Sequence, residues 1–236
     1  MAGLSTKDFH GHVVFYDTEL PHRWIDAYGP NVRKYELVGQ YHPDSATVTA
    51  VSAGVGTSAI TGLDSTLRGG FVFTSAQDED DGIQMQALGE AFYFGVKCPA
   101  YFGCRLTLGD ATESDVFVGF AIQDTTILAA CTDSIGFRKD DDAAAWAFSL
   151  NHDSAATDAE LADAVASTYN NLEFYYDGVT TVSYYVDRVL IGTVETTVAN
   201  MPDDEHLAPA LAFLTGDASA NTMTVLWARW IQIYEW

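Results

Sequence analysis

The sequence has few cysteines and little positive charge. Its three cysteines, Cys98, Cys104 and Cys131, are odd in number and form no C-x-x-C pair, so they argue against a disulfide framework and we expect reduced, buried side chains. Eleven Lys and Arg residues stand against 33 Asp and Glu residues, which gives a formal net charge of -22. Such a surface repels phosphate backbones and anionic lipids. We therefore expect no nucleic-acid partner and no membrane partner.

Long apolar segments are also missing. No stretch of about 18 apolar residues is present that would span a bilayer. Residues 1–30 carry Lys7, three histidines and several acids instead of the apolar core of a secretory signal. The sequence has no Asn-x-Ser/Thr acceptor for glycosylation. We expect synthesis in a cytoplasm, without export by the general route.

Two common catalytic or nucleotide-binding motifs are absent as well. There is no G-x-S-x-G elbow to present a nucleophilic serine. The segment Gly54–Val55–Gly56 lacks the third glycine and the following helix of a phosphate-binding loop. Neither nucleotide binding nor serine-based hydrolysis is therefore predicted.

The sequence does contain many short apolar or alternating runs separated by Gly, Asp and Asn, which is the pattern of strands joined by turns. Many strands and few helices favour a two-sheet sandwich. The one helical candidate is Asp158–Val165, where Leu161 and Val165 lie four apart, and a loop packed over a sheet edge is an equal alternative there. The strands predicted beyond residue 69 are Gly70–Ser75, Ile83–Leu88, Ala91–Lys97, Tyr101–Leu108, Val116–Gln123, Ile135–Lys139, Trp146–Leu150, Leu172–Asp177, Val182–Asp187, Ala210–Thr215 and Met223–Tyr234.

Residues 1–60 are less regular than the rest of the chain. His12–Asp17 and Ala46–Ser52 look like strands, but Pro21, Pro30 and Pro43 lie between them. We predict that residues 1–60 form an irregular arm and loop that pack on a sandwich made by residues 61–236.

The clearest hairpin runs from Leu172 to Asp187. Asp177–Gly178 supplies the chain reversal between its strands. Because side chains alternate along a strand, one face of the hairpin combines two matching sets. These are Leu172, Phe174 and Tyr176 on the first strand and Val182, Tyr184 and Val186 on the second.

This hairpin belongs to a longer pattern that resembles the concanavalin A-like, laminin-G-type jelly roll. The resemblance covers roughly residues 70–236 and implies an all-β jelly-roll β-sandwich with an irregular N-terminal arm. One departure is Asp187–Arg188, where related sequences place Asn-Gly or Asp-Gly, so a wider hairpin is expected there. The segments that carry the resemblance are Leu172–Gly178, Val182–Gly192, Asn200–Asp203, Leu207–Leu214 and the final strand ending at Trp236, together with Val118–Phe120 and Asp133–Asp140, which look like strands of structural proteins of tailed-phage virions.

Glycoside hydrolases of this architecture usually carry a Glu-x-Asp-x-x-Glu run on one strand, and this sequence has none. Glu173 and Asp177 share a strand face, but at strand rise about 13 Å separates them, too far for a retaining pair. We therefore predict that the protein is not an enzyme.

Metal sites have only weak candidates. The acidic runs Asp78–Gly82 and Asp140–Asp142 offer oxygen ligands to Ca²⁺, but neither has a defined loop spacing. His10 and His12 flank Gly11 and would share a face in an extended segment. Solvated turns and ordinary polar residues are the favoured interpretation, and no cofactor is expected.

The last strand is apolar on both faces, whereas a sandwich strand needs one buried face. Something must cover the second face, either the N-terminal arm or another protein chain. Trp230, Tyr234 and Trp236 are accordingly the candidates for contact with a partner.

The leading functional hypothesis is a non-catalytic virion structural protein. It would be a capsid decoration (cement) protein or a head or tail appendage on the virion exterior, assembled in the host cytoplasm. Its partners would be the major capsid protein or other virion proteins, with self-association into a homo-oligomer such as a trimer. The alternative is a carbohydrate-binding, lectin-like module that attaches to surface glycans through exposed rings, and a glycan-cleaving enzyme is the third reading.

Overall fold

The computed structural model describes residues 3–9, 11–38, 48–62, 70–197 and 199–234. Within these ranges the chain forms nineteen strands and one four-residue helix. In chain order they are β1 (Leu4–Phe9), β2 (His12–Asp17), β3 (Leu20–Tyr28), β4 (Val32–Val38), β5 (Val48–Ala53), β6 (Ala59–Gly62), β7 (Phe71–Thr74), β8 (Gly82–Ala87), β9 (Phe92–Tyr93), β10 (Ala100–Leu108), β11 (Ser114–Ala121), α1 (Ile127–Ala130), β12 (Ser134–Lys139), β13 (Ala145–His152), β14 (Ala155–Asp163), β15 (Asn170–Tyr176), β16 (Thr181–Val186), β17 (Val189–Glu195), β18 (His206–Thr215) and β19 (Thr222–Ile233).

Two antiparallel sheets form a sandwich, which confirms the predicted all-β jelly-roll class. The first has the strand order β17-β16-β15-β10-β19-β7-β6, with β4 also pairing β19. The second has the order β14-β13-β12-β11-β18-β8-β5, with β9 also pairing β18. We call the first the covered sheet, because residues of β2 and β3 pack on its outer face, and we call the second the open sheet.

Aromatic rings fill the space between the sheets. Phe102 of the covered sheet lies 5.4 Å from Trp230 and 5.6 Å from Phe174, measured between ring centroids. Phe120 and Phe137 of the open sheet lie 6.0 and 6.4 Å from Phe174. Tilted and edge-on rings at these separations add to the stabilisation from burial alone.

The predicted hairpin is confirmed in its register. Phe174 lies opposite Tyr184 in the pairing of β15 with β16. The next turn is tight, because Val186 pairs with Val189 across Asp187–Arg188. Both turn residues have positive φ, 48° and 70°, the two-residue geometry that fits the twist of a hairpin. The expected wider hairpin at this point was therefore wrong.

The predicted helix Asp158–Val165 was also wrong, because β14 occupies most of it as an edge strand. The preceding turn, Asp153–Ser154, has φ values of 50° and 66° and folds β14 back on β13. Leu161 still turns inward and is 8% exposed. Residues four apart, such as Leu161 and Val165, lie on the same face of a strand as well as on the same face of a helix, so this spacing does not distinguish the two.

The described part of the N-terminal segment is regular where an irregular arm was expected, and Pro43 of the predicted loop lies outside the described residues. Strands β1 to β3 form a separate three-stranded antiparallel sheet, the N-terminal sheet. Val14, Trp24 and Ala27 of this sheet pack on Ile231 and Ile233 of β19. Strands β4, β5 and β6 also fall within residues 1–62, yet they pair inside the two large sheets. The arm that packs on the sandwich thus corresponds to β1–β3.

The N-terminal sheet explains why β19 is apolar on both faces. Ile231 and Ile233 are fully buried beneath it, while Trp230 points the other way into the sandwich and is 1% exposed. The second face of the last strand is therefore covered by the chain itself. This removes the physical argument for a partner chain at that place.

The three proposed contact residues have different positions. The indole Nε1 of Trp230 donates to Gly119 O at 2.6 Å inside the core, so Trp230 is not offered to a partner. Tyr234 is half-buried; its hydroxyl donates to Ala91 O and its ring faces the guanidinium of Arg33. Trp236 lies outside the described residues. Contact by Tyr234 and Trp236 stays a prediction.

None of the three cysteines forms a disulfide, and Cys98 and Cys104 are buried. Burial raises the pKa of Cys131 to about 11, which keeps this thiol protonated and unreactive at neutral pH. In the described part of the chain, no helix has the length and apolar character needed to cross a membrane.

Candidate functional site

A short loop with α1 lies on the outer face of the open sheet. Two buried glutamines on β8, Gln84 and Gln86, hold this loop in place. Ile127 N donates to Gln84 Oε1 at 2.9 Å and Asp124 N donates to Gln86 Oε1 at 3.0 Å. In return, Gln86 Nε2 donates to Ile122 O at 2.9 Å. The side-chain amides thus replace the strand ladder as partners for the loop backbone.

Apolar contacts complete the attachment of α1. Ile127 and Leu128 pack on Phe117 of β11 and on Ala210 and Ala212 of β18. The small alanines let the helix lie close to the sheet. Because α1 lies along the middle of this face, depressions remain on both of its sides.

The larger depression has a volume of about 260 Å³, and we call it the groove. Its walls come from the loop before α1, from the turn after β5, and from strands β8, β11, β12 and β18. Its lining combines carboxylates, a guanidinium and hydroxyls with a small apolar floor: Ala53, Gly54, Asp80, Gln84, Asp115, Thr125, Thr126, Leu128, Ala129, Arg138 and Leu214.

A smaller depression of about 50 Å³ lies across α1 from the groove. Arg138 and Leu128 line both depressions, so the two form one interrupted channel along the open sheet. The polar residues of the smaller part are Ser134, Ser149 and Asn151. Phe117 is the one aromatic residue among the described lining residues, and it is 3% exposed. The described lining therefore offers polar groups and no exposed aromatic ring.

Asp115 and Arg138 are the charged centre of the groove. Burial raises the pKa of Asp115, although its carboxylate accepts a hydrogen bond from Asp141 N at 2.7 Å. The Arg138 Nε lies 2.5 Å from Asp140 Oδ1, which leaves the other guanidinium nitrogens to donate elsewhere. A carboxylate and a guanidinium side by side suit a ligand that presents both donors and acceptors.

Glu173 and Asp177 do not belong to a cleft. Glu173 is fully buried under the N-terminal sheet, where its Oε1 lies 2.9 Å from Arg23 Nε. Asp177 caps its own turn and accepts hydrogen bonds from the backbone N–H groups of Val179 and Thr181 at 2.7 and 3.0 Å. Both carboxylates therefore have structural roles, and they form no catalytic pair.

The first acidic run stabilises a loop. Asp81 is fully buried, and its Oδ1 accepts the backbone N–H of Val55 at 2.7 Å and of Gly56 at 3.3 Å. A Cβ added at Gly54 would lie 1.7 Å from that same oxygen. The glycines of the Gly54–Val55–Gly56 segment are therefore explained by close approach to Asp81, and this carboxylate is used by backbone amides instead of Ca²⁺.

The second acidic run surrounds a buried ammonium group. Lys139 is 1% exposed, and its Nζ donates to the carbonyl oxygens of Thr112, Ser114 and Asp140 at 3.2, 2.9 and 3.0 Å. Desolvation lowers the pKa of Lys139 against the opposing effect of nearby carboxylates. A cation is thus already supplied by the chain itself. Of the histidine pair, His12 is buried, and His10 lies outside the described residues.

The groove was not predicted from the sequence, although Gly54 and Asp80 belong to segments that were considered as candidates for phosphate and Ca²⁺ binding. Asp115, Arg138 and Thr126 lie on three different segments, and only tertiary packing brings them together. One signal was available, because Gln84 and Gln86 alternate in a strand that is otherwise apolar. Buried amides at a spacing of two need a partner above the sheet, and here that partner is the loop with α1.

No protein-family model matches the sequence, and no curated protein matches it. The fold, in contrast, is shared with several solved structures. An endo-1,3-β-glucanase from Streptomyces sioyaensis has a TM-score of 0.60 and 10% identity, over 89% of this chain and 99% of that one. Peanut lectin has a TM-score of 0.58 and 10% identity, over 85% and 97%. A protein of unknown function from Shewanella oneidensis MR-1 has a TM-score of 0.60 and 13% identity, over 86% and 87%.

These similarities show the fold, a concanavalin A-like jelly roll that occurs in a lectin and in glucanases. They contradict the prediction that the protein is not an enzyme, since an endo-glucanase has the same architecture over 89% of this chain. They provide no support for a phage relationship. The predicted capsid partners, homo-oligomer and virion-exterior location stay predictions.

Proposed function

We propose that the protein binds an oligosaccharide in the groove of the open sheet. The observation that carries this proposal is the difference between the two outer faces of the sandwich. The N-terminal sheet packs on one outer face, whereas the other keeps a polar channel on both sides of α1. The occurrence of the fold in a lectin and in glucanases supports a glycan as the ligand.

The groove chemistry suits sugar hydroxyls. Each hydroxyl both donates and accepts, so it pairs well with a carboxylate on one side and a guanidinium on the other. Asp115 and Arg138 supply that combination, and the hydroxyls of Thr125 and Thr126 add further partners at the rim. Charged hydrogen bonds of this kind contribute about 1.5–3 kcal/mol each. The walls are mostly small side chains, which leaves room for a chain of sugar rings.

Replacement of Arg138 by alanine should weaken glycan binding at least tenfold, because one charged hydrogen bond is worth that much. The measurement is isothermal titration with β-1,3-gluco-oligosaccharides, the class cleaved by one enzyme that shares the fold. Arg105→Ala is the matched control, since Arg105 lies on the covered sheet, over the ring of Tyr169. Equal loss in both variants, or none in either, would contradict the proposed site.

Hydrolysis of the bound glycan is the second candidate function. The observation that favours it is the carboxyl group of Asp115, whose pKa is raised by burial in a groove that also contains Asp80. A carboxyl group with a raised pKa is suited to act as general acid, beside a second carboxylate.

If the protein cleaves glycans, Asp115→Asn should lower the release of reducing ends from β-1,3-glucan by about a hundredfold or more. Glu160→Gln, on the edge strand β14, is the control and should keep the wild-type rate. Binding by the wild-type protein with no product after long incubation would leave glycan binding as the function and exclude hydrolysis of this polymer.

A further inference from the structure

A second cluster of polar side chains lies on the open sheet, where the chain leaves α1 and enters β12. Asp133 precedes β12, His152 ends β13, and Asp204 belongs to the loop before β18. His152 Nδ1 lies 3.4 Å from Asp133 Oδ1 and 3.5 Å from Asp204 Oδ1. One potential ligand atom from each residue falls within 4.8 Å of the others.

Burial makes this cluster unusual in so acidic a protein. The Asp133 side chain is 5% exposed and that of His152 is 12% exposed. His152 Nδ1 has no access to solvent and makes no hydrogen bond, although two carboxylate oxygens face it. Within the described residues, no Lys or Arg forms an ion pair with Asp133 or Asp204. A buried carboxylate such as that of Asp133 normally requires such a partner.

A third carboxylate lies near the other side of the imidazole ring. His152 Nε2 lies 3.7 Å from Asp153 Oδ2. A histidine that ligates a metal through one nitrogen commonly directs the other at a carboxylate. The backbone also holds the cluster together, since Asp153 N donates to Asp133 Oδ1 at 3.1 Å and Ser154 N donates to Thr132 O at 2.9 Å.

We propose that Asp133, His152 and Asp204 bind a divalent transition-metal ion of the Zn²⁺ type. In tetrahedral zinc sites with ligand bonds of about 2.0–2.1 Å, neighbouring ligand atoms lie about 3.3–3.4 Å apart. The separations of 3.4 and 3.5 Å around His152 Nδ1 match this spacing. An imidazole ligand favours Zn²⁺ over Ca²⁺ or Mg²⁺, which prefer oxygen alone. Three protein ligands leave the fourth position for water.

The proposal is tested by titrating Zn²⁺ into chelator-treated full-length protein, with calorimetry and thermal unfolding as readouts. We expect one ion per chain and a rise in Tm, because the ion binds the folded chain and not the unfolded one. His152→Ala and Asp204→Asn should each weaken binding at least tenfold and remove the rise in Tm.

Two controls separate a built site from adventitious binding. His206→Ala removes a histidine that stacks on Tyr93 outside the cluster, and it should bind Zn²⁺ as the wild type does. Asp204 is 58% exposed, so Asp204→Asn should fold even if His152→Ala does not. Absence of binding to the wild type, or unchanged binding in Asp204→Asn and His152→Ala, would overturn the proposal.

Discussion

Replacement of Trp230 by alanine should lower the free energy of unfolding by about 4 kcal/mol, the cost of removing a fully buried indole from a packed core. The ring lies 5.4 Å from Phe102 and 5.7 Å from Tyr35 between centroids. Its Nε1 donates to Gly119 O, so the substitution also leaves a buried carbonyl without its partner. Urea unfolding followed by tryptophan fluorescence and circular dichroism measures the loss.

Trp227→Ala is the control for this substitution, on the same strand and of the same residue type. Trp227 is half-buried on the opposite face, between the guanidinium groups of Arg23 and Arg229. Its loss should cost about 1–2 kcal/mol, from partial burial and cation–π attraction. If Trp230→Ala kept the stability of the wild type and changed the oligomeric state instead, Trp230 would be a partner contact and its place in the core would be wrong.

Replacement of Arg23 by alanine should cost about 3–5 kcal/mol, because it leaves the fully buried Glu173 carboxylate without its cation. His22 stacks on Tyr185 at 3.4 Å between centroids, and its Nε2 lies 3.5 Å from Glu173 Oε2. Faster proteolysis within β1–β3 should accompany the loss, since Arg23 belongs to the strand that packs on the covered sheet. Urea unfolding and limited proteolysis are the measurements.

The double variant Arg23→Leu with Glu173→Leu provides the comparison. Removing both charges of a buried pair is often nearly neutral, whereas removing one is not. We expect the double variant to recover most of the stability lost in Arg23→Ala. A loss in the double variant equal to the sum of two single losses would show that the pair is not coupled, and the N-terminal sheet would then depend on its apolar contacts alone.

The sequence allowed the sandwich and its clearest hairpin to be predicted because those features depend on local rules. Asp177–Gly178 supplies a turn, and alternation then sets which side chains of β15 and β16 share a face. In strand β19 the regular alternation of side chains between the two faces is interrupted. Its pairing with β10 shifts register between Arg105 and Leu106, so that Arg105 faces Trp227 while Leu106 faces Val225. Leu226 is the extra residue, and a bulge of this kind is not visible in a pattern of two.

The groove could not be predicted from the sequence, for a different reason. The groove depends on where α1 lies, and α1 is a four-residue helix without a side-chain cap, too short for a periodic signal. Its position follows from Gln84 and Gln86, which reach across from β8 to a loop about 40 residues later. The contacts that bring Asp115 beside Arg138 are likewise non-local. The sequence identifies Asp115 and Arg138 as charged residues, but it does not show that they line the same groove.

Glycan binding in the groove is tested most directly by amide chemical-shift perturbation in isotope-labelled protein. The probe is a β-1,3-gluco-hexaose. We expect shifts concentrated at Asp115, Arg138 and residues 124–129 around α1, with none in β1–β3. Shifts confined to the N-terminal sheet, or an unchanged spectrum at millimolar glycan, would contradict binding of this glycan in the open-sheet groove.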